Sequence, residues 1–446
     1  MQEEFGRGEP QMNRWPSGLG ELRRFLPMLL LYMGSGGSLL ASAGAQLITF
    51  AILARYLGVE QFGLYAIITA VTNVGVQLCG LGSQESLVRR VAQDQGMYPK
   101  MLGHAAILSA ASGIVLVIIG MGILPVVAPV SDDLATTLIA TGLILVANLL
   151  LLKIISLATQ SYIAHSRFAS ANRLEVLFAV ARTAAAVLGC VVFGASSVVQ
   201  WAWWHFASHA AVAVVALVAI RGLGRPCWTI VRDEIRLGFL FSTQFLFRAV
   251  RGNADLLVLG SVASAEILGS YSIVRRLVES SYMSVEALNR LIYPGSAAIA
   301  ATGIHNAAGR IRQVLFASLA ISFAAAAAMF IIAPFLTFVF GTEYVSLPWL
   351  TRSLCWIVIL MAIYAVSLEA LGAAGLQGAR AAIWNTGNIL GAGAMALATW
   401  LWSIEGTLAS FYAVEIGIAV AAWIVLMQRI KMHREAAAMA GQDQPA

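Results

Sequence analysis

From Phe25 onward the chain alternates twelve apolar stretches with short polar connections. Each stretch approaches or exceeds the roughly 20 residues an α-helix needs to cross about 30 Å of hydrocarbon. Lipid offers unpaired backbone N–H and C=O groups no partner, so each stretch must close its hydrogen bonds internally, as a helix. The expected spans are 27–54, 62–83, 103–128, 134–160, 172–194, 197–220, 237–262, 269–293, 312–338, 347–371, 381–402 and 406–428. Composition points the same way: with 59% hydrophobic and 11% charged residues, the chain has too little polar surface for a soluble globule.

Lys and Arg set an orientation. Counting residues at the span edges with the adjoining connection, nineteen of the 28 fall in the termini and the even-numbered connections, whereas the odd-numbered connections hold only Arg55 and Arg352, among several carboxylates. The positive-inside rule then places both termini in the cytoplasm, and the pattern fits a multi-pass chain in an inner membrane. The first 25 residues are polar and lack the apolar core of a cleaved signal peptide, so none is expected. The net charge of +6 therefore describes loops facing one leaflet and gives no reason to expect a nucleic-acid partner.

Sliding the chain by 206 residues lays Glu60, Gly63, Tyr65 and Ile67 over Glu266, Gly269, Tyr271 and Ile273. A weaker echo relates 167–172 to 380–385. Because six spans separate the copies, the halves run in the same direction, a parallel repeat. The expected fold is an all-α polytopic membrane protein with twelve transmembrane helices in two six-helix lobes. Residues 1–26 form a cytoplasmic segment, 27–220 the N-lobe, 221–236 a basic linker, 237–428 the C-lobe and 429–446 a cytoplasmic tail.

Seven cations lie inside spans: Lys153, Arg182, Arg248, Arg251, Arg275, Arg276 and Arg290. Insertion scales charge about 2.5–3.5 kcal/mol for each at the bilayer centre, so these helices need a wet or paired interior. Gln244, Arg248, Arg251 and Asp255 step by four, three and four, which puts them on one helix face. Arg275, Glu279, Tyr282, Glu286 and Arg290 line a face of the next helix. Milder stripes include Gln46 and Thr49, then Thr69, Asn73, Gln77 and Gln84, and then Lys153, Ser156 and Gln160. A polar cavity between the lobes follows. Arg251 with Asp255, and Arg275 with Glu279, have the i,i+4 spacing of structural pairs. Pairing cannot absorb every charge, because the seventh and eighth spans hold five arginines against three carboxylates. Surplus guanidinium groups favour an anion, and their fork suits phosphate oxygens. The expected anion site is Arg248, Arg251, Arg275 and Arg276, with Arg182, Lys153 and Gln244 in support. Asp255, Glu279, Glu286 and Glu415 are candidates for ion coupling, and Glu415 needs either a neutral form or a partner on another helix.

Enzyme signatures are absent, and no cofactor is expected. No connection is long enough for a catalytic domain, and Cys79, Cys190, Cys227 and Cys355 are scattered. His205 and His209 are spaced i,i+4 without an acidic third ligand, so a metal site is not expected. The glycine run 34–37 lacks a Walker lysine.

Residues 53–65, LARYLGVEQFGLY, lie between the first two spans and resemble the opening signature of bacterial polysaccharide transporters, the O-antigen and exopolysaccharide flippases of the multidrug/oligosaccharidyl-lipid/polysaccharide (MOP) exporter superfamily. The connections at 164–172 and 375–385 are also similar to that family. The resemblance implies alternating access between two lobes and a lipid-linked oligosaccharide carried outward, with polysaccharide polymerase and assembly proteins as partners. It also carries Arg55, Gly58, Gly63 and Tyr65 over as hinge or packing positions. The other reading is a MATE-like cation-coupled small-molecule exporter of the same superfamily, which an arginine-rich cavity disfavours.

Overall fold

The computed structural model describes the backbone of residues 19–127, 134–300 and 304–442. It describes side chains within 44–124, 135–289 and 304–435, apart from Phe241, Gln244 and Ala287. The described residues form helices and no strand. They make up α1 (19–57), α2 (59–93, with a turn at 79–82), α3 (Tyr98–Val127), α4 (134–164), α5 (Phe168–Val192), α6 (Val198–Ile220), α7 (Arg232–Val262), α8 (Ala265–Ala300), α9 (Ala308–Phe340), α10 (Leu347–Ala373), α11 (377–402) and α12 (404–442).

This division is consistent with twelve spans. Eight helical segments among the described residues are long and apolar enough to cross a membrane. Two of them, 44–93 and 377–435, are double length, and each has a kink within continuous helix. The first bend is at Gly58, whose φ of 71° a side chain would resist. The second is at Trp402 and Ser403. The eight do not include α7 and α8, the charged pair. π-helical turns at Ala147–Leu151 and Val187–Val192 interrupt α4 and α5.

Lipid cannot drive apolar helices together, so close approach and polar contacts must. The two motif copies supply both, at the end of the bundle opposite the described C-terminal helix end. A Cβ on Gly63 would lie 3.4 Å from the Ala265 carbonyl oxygen, and one on Gly269 would lie 2.9 Å from the Tyr344 ring. Phe62 meets Tyr344 edge to face at 6.1 Å, and the Tyr344 hydroxyl donates to the Ala54 carbonyl at 2.9 Å. Arg55 donates to the Phe338 carbonyl at 2.5 Å. Glu266 accepts from the Ser346 N–H and hydroxyl at 2.8 and 2.9 Å. One apolar core joins Leu53, Phe62 and Ile67 to Leu259, Tyr271 and Ile273, so α1 and α2 are sealed against α7 and α8 at this end.

At the other, basic end the contact is a clasp. A Cβ on Gly82 would collide with the Gly238 carbonyl, so the backbones of α2 and α7 touch. Arg89 and Arg90 both bind Glu234, at 2.6 and 2.5 Å. Burial alone would raise the Glu234 carboxyl, but the two guanidinium groups outweigh it and hold it below its ordinary value. The clasp's contribution is therefore complete above the usual carboxylate pKa of about 4.3 and is lost as pH falls through the lowered value. The thermal-midpoint gap between wild type and Glu234→Gln should shrink between about pH 7 and about pH 3, and a gap that ignores pH would contradict this account.

Candidate functional site

Below the sealed end, the two halves part around a cavity of about 1430 Å³. It begins at Leu53 and Leu256, beneath the packed core, and reaches Gln377 and Arg380 at the basic end. The first half contributes neutral polar side chains at the helical spacing expected: Gln46 and Thr49 from α1, then Thr69, Asn73 and Gln77 from α2. The second half contributes charge. Arg248 and Arg251 on α7, with Arg275, Arg276, Glu279 and Glu286 on α8, line the wall.

The arginines divide by partner. Arg251 donates to Glu415 on α12 at 2.5 Å and to the Asn388 side-chain oxygen on α11 at 2.8 Å, with Trp384 5.9 Å from its guanidinium. The i,i+4 pairing of Arg251 with Asp255 does not form. Asp255 turns to α8 instead, accepting from Arg275 at 2.7 Å and from the Tyr271 hydroxyl. Arg275 also donates to the Gly252 carbonyl at 2.9 Å, stands 4.6 Å from the Phe411 ring and keeps a 3.7 Å contact with Glu279. Arg276 pairs loosely with the half-exposed Glu279 at 3.3 Å. Glu415, which lacks a cation nearby in sequence, thus finds its partner across helices.

Arg248 and Arg182 remain. Both line the cavity, and among the described residues neither has a carboxylate within ion-pair distance. Arg182 reaches it from α5, beside Tyr65 and His205 of the first half. Two unneutralised guanidinium groups, one from each half, give the space a positive field that low-dielectric walls concentrate.

Two other expected residues lie elsewhere. Lys153 on α4 is not among the cavity-lining residues; its carbonyl accepts from Gln84, which in turn accepts from Ser156 at 2.7 Å. The side chain of Gln244, like that of Arg290, lies outside the described residues. Sequence reasoning weighed His205 only as a metal ligand and passed over Tyr364 and Trp384; all three line the cavity but carry no formal charge to mark them within an apolar helix.

The profile of a family described as polysaccharide biosynthesis protein matches residues 35–297, from α1 through the charged α8. The chain belongs to this family. Arg182, Arg248, Arg251, Arg275 and Arg276 all fall within the matched region, whereas Asn388 and Glu415 lie beyond it. No curated protein matches the chain. Among solved structures, an inward-facing multidrug resistance MATE-family transporter of the MOP superfamily superposes with a TM-score of 0.72 at 13% identity, covering 88% of this chain and 96% of that one. An outward-facing MATE transporter of the same superfamily gives 0.62 at 14%, covering 91% and 96%. A variant of the Vibrio cholerae MATE transporter VcmN gives 0.60 at 13%, covering 93% and 98%. This polysaccharide biosynthesis protein therefore has the MOP transporter fold, in an arrangement nearer the inward-facing structure.

Proposed function

We propose that the protein flips a polyprenyl-pyrophosphate-linked oligosaccharide across the bacterial inner membrane, from the cytoplasmic to the outer leaflet, for surface polysaccharide assembly. The observation that carries this reading is the pair of arginines with no counter-ion among the described residues, Arg182 and Arg248, which the two halves contribute to one large cavity. The volume exceeds the roughly 300–1,000 Å³ of ordinary small-molecule pockets. The neutral stripes of α1 and α2 supply hydrogen-bond partners for sugars, and the prenyl chain stays in lipid. Arg276, with its loose partner, adds to the anion site. Arg251 and Arg275 support it indirectly, by neutralising Glu415 and Asp255.

Alternating access follows from the two contact regions. Opening the Gly63 and Gly269 seam while the halves close at the Gln377 and Arg380 end, with the Gly82 and Gly238 contact as the pivot, exposes the same cavity to the opposite side. The basic loops and both termini then face the cytoplasm. Ion coupling through Asp255, Glu279, Glu286 or Glu415 belongs to this scheme, with Glu279 the most open of the group to the cavity water. A cation exporter is the second reading, but Asp255, Glu279 and Glu415 are engaged by arginine.

Purified protein in vesicles decides between them. Translocation of a polyprenyl-diphosphate-linked oligosaccharide without accumulation of a lipophilic cation is expected. Cation accumulation without glycan translocation would overturn the reading.

A further inference from the structure

Arg251 holds two side chains at once, and each retains one unused polar atom. Glu415 is 1% exposed and gives one carboxylate oxygen to Arg251, while its Oε2 meets no donor among the described residues. Asn388, fully buried, accepts from Arg251 Nε with its side-chain oxygen, and its Nδ2 meets no acceptor among the described residues. A buried polar atom left unmatched costs about 1–3 kcal/mol, so both atoms favour a partner. One helical turn from Asn388 on α11, on the same face, Trp384 lines the cavity, as does Glu415. Tyr364 flanks the indole at 5.7 Å.

The two unused atoms restrict the ligand. A carboxylate oxygen only accepts and an amide nitrogen only donates, so a group serving both must itself donate and accept. A phosphate dianion cannot donate to Glu415, and a quaternary cation cannot accept from Asn388. A hydroxyl does both. A pyranose carries a rim of hydroxyls around an apolar C–H face, which suits an aromatic side chain beside convergent polar groups. Arg251 cancels the charge of Glu415, so the carboxylate does not repel a phosphate held at Arg248, one turn earlier on α7.

We propose that Trp384, Glu415 and Asn388 form a sugar subsite for the glycan residue attached directly to the pyrophosphate. The ring rests against Trp384, and one hydroxyl donates to Glu415 Oε2 and accepts from Asn388 Nδ2. This rests on the flippase reading and adds to it a place where sugar identity is sensed. The anion site holds the charge common to all such lipids.

The test compares two probes of equal charge on the purified full-length protein. One is the methyl diester of farnesyl diphosphate. The other is the corresponding diester bearing glucose, galactose or N-acetylglucosamine. Wild type should bind the best of the three sugar diesters about tenfold more tightly than the methyl diester, the size of one hydrogen bond to a charged group. Trp384→Ala and Glu415→Gln should each bring that ratio close to one, with methyl-diester binding retained in Trp384→Ala and the ratio largely kept in Trp384→Phe. A ratio unchanged in Trp384→Ala, or a wild-type ratio of one for all three sugars, overturns the subsite and leaves the flippase reading standing. If wild type binds neither diester, the flippase reading itself falls.

Discussion

Replacing Arg182 and Arg248 together with glutamine should abolish translocation of a lipid-linked glycan while leaving the protein folded and inserted. Both guanidinium groups are unpaired among the described residues and border open cavity, so their removal strands no buried carboxylate. The substitution also relieves the repulsion between cations, so the thermal midpoint should hold or rise. Each charge-assisted contact to a phosphate contributes about 1.5–3 kcal/mol, so two together correspond to a loss of at least a hundredfold in affinity. Single variants should fall between wild type and the double variant, and lysine at either position should restore part of the activity as a point charge without the fork. Vesicle translocation and binding of the methyl diester of farnesyl diphosphate measure this directly. Near-normal translocation by a well-folded double variant would remove the anion site from the mechanism.

That prediction chooses Arg248 where sequence alone ranked Arg248 and Arg251 equally, and the difference shows where sequence reading stops. Helical phase put both on one face of α7, correctly, because a periodicity of 3.6 residues is a local property. It could not say which helix that face meets. Arg251 is 164 residues from Glu415 and 137 from Asn388, and no spacing rule spans such a separation. Asp255 illustrates the same limit, since its local partner by spacing was Arg251 and its actual one is Arg275, across the turn between α7 and α8. The spans were legible because the bilayer dictates their length, yet what reads as a connection is helix on both sides of one kink at Gly58, and α8 extends to Ala300, past the expected end at 293. The repeat was legible as an echo; that its two glycines pack the halves together needed coordinates. Lys153, chosen for its charge and for the polar stripe it shares with Ser156 and Gln160, is not among the cavity-lining residues. Trp384 carries no charge and drew no notice, although it stands beside Arg251, the arginine that joins α7 to α11 and α12.

The second large effect concerns stability. Arg251→Met should destabilise the protein by about 3–5 kcal/mol, because it leaves Glu415 buried, charged and without its partner. Glu415→Gln should cost less, since Arg251 keeps its bond to Asn388 and its contact with Trp384, and its guanidinium borders the cavity. The double variant, Arg251→Met with Glu415→Gln, should recover most of what the first change loses, because a buried pair replaced by neutral groups of similar volume is often tolerated. The coupling between the two positions, read from thermal or denaturant unfolding of all four proteins in the same detergent, should therefore be a large fraction of the single Arg251→Met cost. Purely additive effects would mean that the pair does not bind α7 to α12. Function separates the roles further. A double variant that regains stability keeps Arg182 and Arg248, so it should still bind the methyl diester of farnesyl diphosphate. It should fail to prefer a sugar-bearing diester, because the neutral amide at 415 no longer offers a charged acceptor and nothing orients Asn388. Stability, anion binding and sugar preference then assign three separate tasks to arginines and carboxylates that in sequence form one undivided cluster of intramembrane charge.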